Sequence, residues 1–420
     1  GPLNDLALEL AAQSARFRGS LPKYAQHSLA DLVRSMNCYY SNLIEGHDTH
    51  PVDIERALKN DFSQNIKQRN LQLEAKAHIT VQKWIDDGGL KDHAASYEGL
   101  REIHRRFCEL LPAELLWAEN PETGERMEIV PGALRARDFK VGRHIPASPG
   151  ALPRFMERFE SAYTGLGKTD TIFAAAAAHH RLLWIHPFLD GNGRVARLMS
   201  YSMLLDALDT GGIWSIARGL ARNEGRYKAL LTACDAQRRN DLDGRGNLSE
   251  EALAEFTHFF METCIDQVKF MEELVAPDKL RARIFTWANE EIKAKTLLPQ
   301  SLKILERLLY QGELEREEIT SMFDVTPRQA RRYVEPLTDL GVLEKSIDGK
   351  FRFGHRLYSL AIAAGKNSEV IQIVHQAGCH LQRQGIVGGL QQPLREVMQS
   401  VVKIVHHLLH GLLGITPYIE

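Results

Sequence analysis

The chain has 420 residues, 44% of them hydrophobic and 25% charged, with a formal net charge of -2 and a sequence pI of about 6.8. That length suits two or three soluble globular domains. The near-neutral balance excludes a global basic field for gripping nucleic acid, so any such site must be a local patch.

Five dispersed cysteines, Cys38, Cys108, Cys234, Cys264 and Cys379, form no CxxC pair. This argues against a disulfide scaffold or a zinc site and for a reducing, cytoplasmic setting. No apolar run reaches ~18 residues, so neither a spanning helix nor a membrane partner is expected. No basic patch precedes an apolar core near the N-terminus, so no signal peptide is expected, and Gly1-Pro2 reads as a protease scar.

Helical periodicity dominates. A helix is predicted at about 28–44, closed by Gly46. Further helical stretches follow at about 54–59, 71–86 and 97–110, with Gly88-Gly89 breaking the chain between the last two. Residues 132–153 differ. Gly132, Gly142, Pro146, Pro149 and Gly150 punctuate the short run Arg137-Asp138-Phe139-Lys140-Val141, which predicts a small β-hairpin flap. Helices resume at 153–163, at 170–185 through the alanine run 174–178, and again after Gly193. Ser249, with Glu250 and Glu251 in the first turn, opens an amphipathic helix to 274.

A connecting helix is expected over 278–295. Residues 300–356 read as a helix–helix–helix–hairpin unit, a winged-helix module. Thr326-Pro327 supplies an N-cap and a first-turn proline. The next helix carries Arg328, Arg331 and Arg332 on one side, and Pro336 should kink or shorten it. Runs 342–345 and 350–353, joined around Asp348-Gly349, form the wing. Such a module suits a DNA major groove. Glu313, Glu315, Glu317 and Glu318 oppose that use, so DNA binding and a protein-docking or homodimer role both stay open. The tail segment 401–409 is amphipathic and reads as a packing or dimer helix. The expected domains are 1–95 (N-terminal helical region), 96–275 (core), 276–299 (connector), 300–358 (winged helix) and 359–420 (helical tail).

The chemistry concentrates in His186-Pro187-Phe188-Leu189-Asp190-Gly191-Asn192-Gly193-Arg194-Val195-Ala196-Arg197. Proline pushes the residue before it out of the α region, so His186 is held where a helix meets a loop. Gly191, Asn192 and Gly193 offer backbone N–H groups at the start of a helix, an anion-binding nest. Arg194 and Arg197 lie at i and i+3 on one face, suited to a polyphosphate. Asp190 offers a carboxylate to Mg²⁺, which binds one or two carboxylates plus substrate phosphates. His186 has an ordinary pKa near neutrality and can take a proton from an attacking hydroxyl. The parts fit phosphoryl or nucleotidyl transfer.

This stretch matches the Fic family signature, His-x-Phe-x-Asp/Glu-Gly-Asn-Gly-Arg-x-x-Arg, at every fixed position. The run Val141-Gly142-Arg143-His144-Ile145-Pro146 resembles the Fic flap, which holds a target segment by main-chain pairing. The run Asp243-Gly244-Arg245-Gly246-Asn247-Leu248-Ser249 also resembles bacterial Fic proteins. The resemblance implies a mainly α fold, a Fic helical core with a β-hairpin flap, and AMP transfer from ATP to a Ser, Thr or Tyr hydroxyl of a target protein or of the chain itself. It implies His186 as base and Asp190 as the Mg²⁺ ligand. Asn192 and the N–H groups of Gly191 and Gly193 would hold the α- and β-phosphates, Arg194 the β- and Arg197 the γ-phosphate. Asn223, Arg226 and Tyr227 follow at a distance suited to an adenine pocket. Tyr227 would contact the base or ribose, or else serve as an amphipathic helix residue.

Ser41 and Glu45 share a helix face at i, i+4, and Gly46 follows. By itself a glutamate near a helix end is usually solvated. The stretch also matches the Fic inhibitory signature Ser/Thr-x-x-x-Glu-Gly/Asn, which implies that Glu45 pairs with Arg197 and denies it to the γ-phosphate. Other outcomes of the same architecture are transfer of another phosphate-containing group, kinase-like chemistry, or removal of AMP. A reading of another class is a DNA-binding regulator whose Fic core senses nucleotide. Asp241, Asp243 and Gly244 superficially suggest a calcium loop but lack a third ligand. His179 and His180 read as structural histidines.

Overall fold

The computed structural model describes residues 1–357, apart from 22, 48, 120–123, 139, 141–143, 347 and 355. The expected tail therefore lies outside the described residues, as do Val141, Gly142 and Arg143. The chain divides into two compact units: Gly1–Leu21 with Val33–Met271, and Pro22–Leu32 with Glu272–Glu420.

The first unit is mainly helical. Helix α1 (Pro2–Ser20) was not expected; it buries Ala7, Leu10, Ser14 and Phe17, one face at helical spacing. Helix α2 runs Lys23–Ile44, and α3 (Pro51–Leu58) starts on a first-turn proline. Helix α4 (Ile66–Asp86) is capped by Asn65, whose side chain accepts from the Gln68 N–H at 3.2 Å. Helix α5 (Tyr97–Glu109) is capped by Ser96, which accepts from the Gly99 N–H at 2.9 Å. Then come α6 (Leu152–Tyr163), α7 (Lys168–Ile185), α8 (Asn192–Leu208), α9 (Ala217–Arg222), α10 (Glu224–Cys234) and α11 (Glu250–Leu274). Helices α7 and α8 pack closely because Ala174, Ala175, Ala176 and Ala178 present little bulk. Helix α8 is enclosed almost all round. That enclosure is why its two arginines lie inside the protein.

The centre of the expected flap, residues 139 and 141–143, lies outside the described residues. The two-stranded sheet lies upstream, β1 (Trp117–Glu119) against β2 (Arg126–Glu128), antiparallel, with Trp117 opposite Glu128. The Arg126 guanidinium sits 5.3 Å from the Trp117 ring and ties the strands together. Residues 129–148 contain no named strand among those described. At the start of this stretch the Gly132 carbonyl accepts from Arg101 Nε at 2.9 Å, and the Gly132 N–H donates to His104 Nδ1 at 2.9 Å.

In the second unit α12 (Pro277–Lys293) is followed by α13 (Gln300–Gln311), β3 (Glu313–Leu314), α14 (Arg316–Phe323), α15 (Pro327–Asp339), β4 (Leu343–Lys345) and β5 (Phe351–Phe353). The three strands form one antiparallel sheet in the order β3-β5-β4. Ile304, Leu308, Ile319, Leu337, Val342 and Phe353 are buried in this unit. Thr326 and Gln329 form a capping box on α15. Contrary to expectation, α15 continues past Pro336 to Asp339. The buried Val334 and Leu337 on either side hold that turn to the core.

Among the described residues, no helix is long and apolar enough to cross a membrane. Cys38, Cys108, Cys234 and Cys264 are buried and unbridged.

Candidate active site

Helix α7 ends at Ile185, and His186 turns into the left-handed region at φ 51°, ψ 61°, its N–H still donating to the Leu182 carbonyl at 2.9 Å. Pro187 next in sequence favours that exit from the helix. Phe188 is fully buried and stacks on the His104 ring, centroids 4.2 Å apart and planes within 3°. Asn192 then closes the loop on Phe188: its Oδ1 accepts from the Phe188 N–H at 3.0 Å and its Nδ2 donates to the Phe188 carbonyl at 2.8 Å. Gly191 at φ 79° makes the turn into α8. Because α8 begins at Asn192, the N–H groups of its first turn have no carbonyl four residues back within the helix. Asp190 is exposed at the rim.

Both motif arginines are buried and held by carboxylates. Arg197 is 3% exposed. Its Nε donates to Ser41 Oγ at 2.9 Å, and its Nη2 forms an ion pair with Glu45 Oε1. A third of the Glu45 side chain stays exposed. Glu45 also stands over Gly193, where any Cβ would run into its carboxylate. Burial alone would raise the Glu45 pKa. The Arg197 charge and hydrogen bond, with Arg194 and His47, outweigh it and hold the carboxyl below its ordinary value.

Arg194 has a separate set of partners, distant from it in sequence. Its Nη2 donates to Glu74 Oε2 on α4 at 2.7 Å and lies 3.2 Å from His47 Nδ1. His47 Nδ1 is itself 2.9 Å from Glu74 Oε2. The Arg194 guanidinium also lies 5.0 Å from the Phe107 ring. The hydrogen bond to Glu74 raises the His47 pKa. No local motif marks Glu74, which is 120 positions from Arg194.

Burial holds His186 down to about 4, so its imidazole is neutral near pH 7, as a proton acceptor must be. Burial likewise lowers His104 to about 4, and His78 and His179 to about 3. These rings bind protons in the unfolded chain near pH 6.5 but not in the folded one. The protein should therefore lose stability as pH falls below about 6.5, with the loss levelling off only near the folded values. For His104 alone the loss at pH 5 is about 2 kcal/mol. Thermal unfolding followed from pH 7.5 to 5 checks this: the midpoint should drop steadily, and a flat profile would count against neutral buried rings.

Other expected site residues are placed differently. Tyr227 is 2% exposed, and its hydroxyl lies 2.7 Å from His179 Nε2, so its ring offers no face to an adenine. Asn192 spends its side chain on the loop rather than toward a ligand. His144 Nε2 lies 2.7 Å from the Trp184 carbonyl, directed at the end of α7. Asp243 accepts N–H bonds from Arg239 and Glu251 and the Ser249 hydroxyl, so it organises its loop. His180 pairs with Asp235 at 2.9 Å, a structural role like that of His179. Among the described residues, no cluster of three or more His, Cys, Asp or Glu could hold a metal. A cavity of about 300 Å³ lies beside the loop, lined by Leu189, His104, β2 and residues 133–137.

Residues 94–204 match the family model described as Fic/DOC family. These residues are a Fic domain. The match takes in His186 through Arg197 and ends well short of Ser41 and Glu45 upstream. The protein adenylyltransferase Fic of Drosophila willistoni is 28% identical over 200 residues, 47% of this chain and 35% of that protein. That of Drosophila sechellia is 29% identical over 172 residues, 40% of this chain and 32% of that protein. The chain thus matches about a third of the length of these relatives. A solved Fic family protein from Desulfovibrio desulfuricans superposes with a TM-score of 0.50 at 16% identity, covering 84% of this chain and 96% of that one, and this likeness supports the Fic fold.

Proposed function

We propose that this chain transfers AMP from ATP to a hydroxyl of a target protein, and that it is held inactive by carboxylates on both motif arginines. Support comes from the Fic domain, from relatives named protein adenylyltransferase, and from the geometry of the loop. The observation that carries the reading is Arg197. It is a buried guanidinium one turn into a helix that starts from a glycine nest, held by an acidic side chain that stands over that same nest.

In this reading His186, neutral and fixed at the end of α7, accepts the proton of the attacking hydroxyl. A bond forms between that oxygen and the α-phosphorus, the bond to the bridging oxygen breaks, and pyrophosphate leaves. The first-turn N–H groups of α8 bind phosphate oxygens. Arg197 binds the γ-phosphate once Glu45 withdraws, and Arg194 binds phosphate only if Glu74 releases it. Asp190 would hold Mg²⁺. One exposed carboxylate without a protein cage fits an ion that completes its shell with phosphates and water. Bound there, Mg²⁺ would neutralise charge on the phosphates. Asn192 and His104 keep the loop in shape.

The reading predicts self-modification. Intact-mass measurement of the Glu45→Gly chain after incubation with ATP and magnesium should show the added mass of AMP. An unchanged mass with every acceptor offered would contradict it.

We also read residues 300–357 as a winged helix, from the order of their helices and the three-stranded sheet. Arg328, Arg331 and Arg332 are exposed on α15, with Arg331 paired to Glu335 at 2.6 Å.

A further inference from the structure

We propose that Arg135 is the positioning residue for His186, an inference that rests on the transfer reading above. Arg135 is 4% exposed, yet it makes no ion pair among the described residues. Its guanidinium is spent on backbone carbonyls instead. Nε donates to the His186 carbonyl at 2.7 Å and Nη1 to the Arg137 carbonyl at 2.9 Å. Nη2 donates to the Ala147 carbonyl and, at 3.5 Å, to the Ile185 carbonyl. Its own N–H donates to the Pro187 carbonyl at 2.9 Å.

One residue thus binds three consecutive carbonyls, 185 to 187, and ties them to those of Arg137 and Ala147. His186 has positive φ, a conformation that a non-glycine residue keeps only when its surroundings impose it. The direction of the imidazole follows from φ and ψ at 186, and ψ is set by where the 186 carbonyl points. Arg135 pins that carbonyl and the next. Without it, the helix end can relax and carry the imidazole away from the α-phosphorus. The guanidinium serves here by its fork of donors, which a lysine ammonium does not reproduce.

The same placement puts a fixed positive charge beside the base. The groups that act on the His186 imidazole are Arg135 and His144 from the 133–147 segment, Asp190 from the loop, and the Leu183 backbone from α7. Of these, Arg135 and His144 oppose protonation, and Asp190 and the Leu183 backbone favour it.

The test uses the full chain with labelled histidine, in the Glu45→Gly background, with the His186 resonance identified by its loss in His186→Asn. In Arg135→Gln the His186 titration should move to higher pH. The transfer rate should fall by about tenfold or more, because small misplacement of a reacting group is costly, while ATP affinity stays unchanged. Arg135→Lys keeps the charge but not the fork. It should restore the titration and recover only part of the rate. A folded Arg135→Gln chain with parental titration and parental rate overturns the proposal. If Arg135→Gln does not fold, Arg135→Lys decides, and a rate equal to the parent overturns it. If the Glu45→Gly parent transfers no AMP, the functional reading fails and the His186 backbone carbonyl resonance decides Arg135: a shift in Arg135→Gln that Arg135→Lys does not reverse upholds the proposal, and an unmoved resonance overturns it.

Discussion

Glu45→Gly is expected to raise AMP transfer about ten- to hundredfold. The estimate follows from the ~1.5–3 kcal/mol attached to a hydrogen bond with a charged group. Two features set its size. Arg197 is buried, so the guanidinium released by the substitution has few other partners and gains from a phosphate. Glu45 keeps a third of its side chain exposed, and solvent screening lowers what the pair is worth. The sign with pH is fixed by the lowered Glu45 pKa. The pair is fully formed above the ordinary carboxylate value of 4.5 and is lost only as pH falls through the lower folded value. Ordinary assay pH will therefore not open it. Adding Glu74→Gln should raise the rate again, because it frees Arg194 from its bond of 2.7 Å. Rates of the single and double variants at fixed ATP check both steps; a double variant no faster than Glu45→Gly would confine the lock to Arg197.

His186→Ala, made in the same background, is expected to lower transfer by about 10²- to 10⁴-fold, the usual contribution of a positioned general base. ATP affinity should stay near that of the parent, since the proposed mechanism assigns phosphate binding to α8 and not to the imidazole. Calorimetric titration with ATP beside the rate measurement separates the two. Loss of both would mean that the loop collapsed, and loss of neither would remove His186 from the chemistry. A second signature comes from burial. With His186 held to about 4, the acid limb of kcat/KM for the Glu45→Gly chain should lie near that value rather than near the ordinary 6.5.

Much of this was legible in the sequence because it is local. Helix α15 is announced by Thr326-Pro327, α11 by Ser249 with Glu250 and Glu251, and the motif loop by proline and two glycines at fixed spacing. Ser41 and Glu45 could be matched to Arg197 because both signatures are short and contiguous. What stayed hidden depends on distant parts of the chain. Glu74 and His47 reach Arg194 across the fold, and neither carries a spacing that marks it. Arg135 acts through backbone carbonyls, which no residue pattern encodes. Helix α1 is hidden in the sequence because its buried stripe includes the polar Ser14, whose hydroxyl accepts from Trp214 Nε1 at 2.9 Å. The flap run Val141-Gly142-Arg143 lies outside the described residues, and just before it Gly132 and Arg135 spend their backbone N–H groups on His104 and Pro187. The motif position of Asn192 implies a phosphate ligand and cannot show that its amide closes on Phe188.

The most direct measurement is a pair of incubations of the Glu45→Gly chain with magnesium and ATP labelled on either the α- or the γ-phosphate. Covalent label from the α-phosphate alone, absent in His186→Ala, is the predicted result. Label from the γ-phosphate, or from neither while ATP still binds, would contradict AMP transfer by this Fic domain.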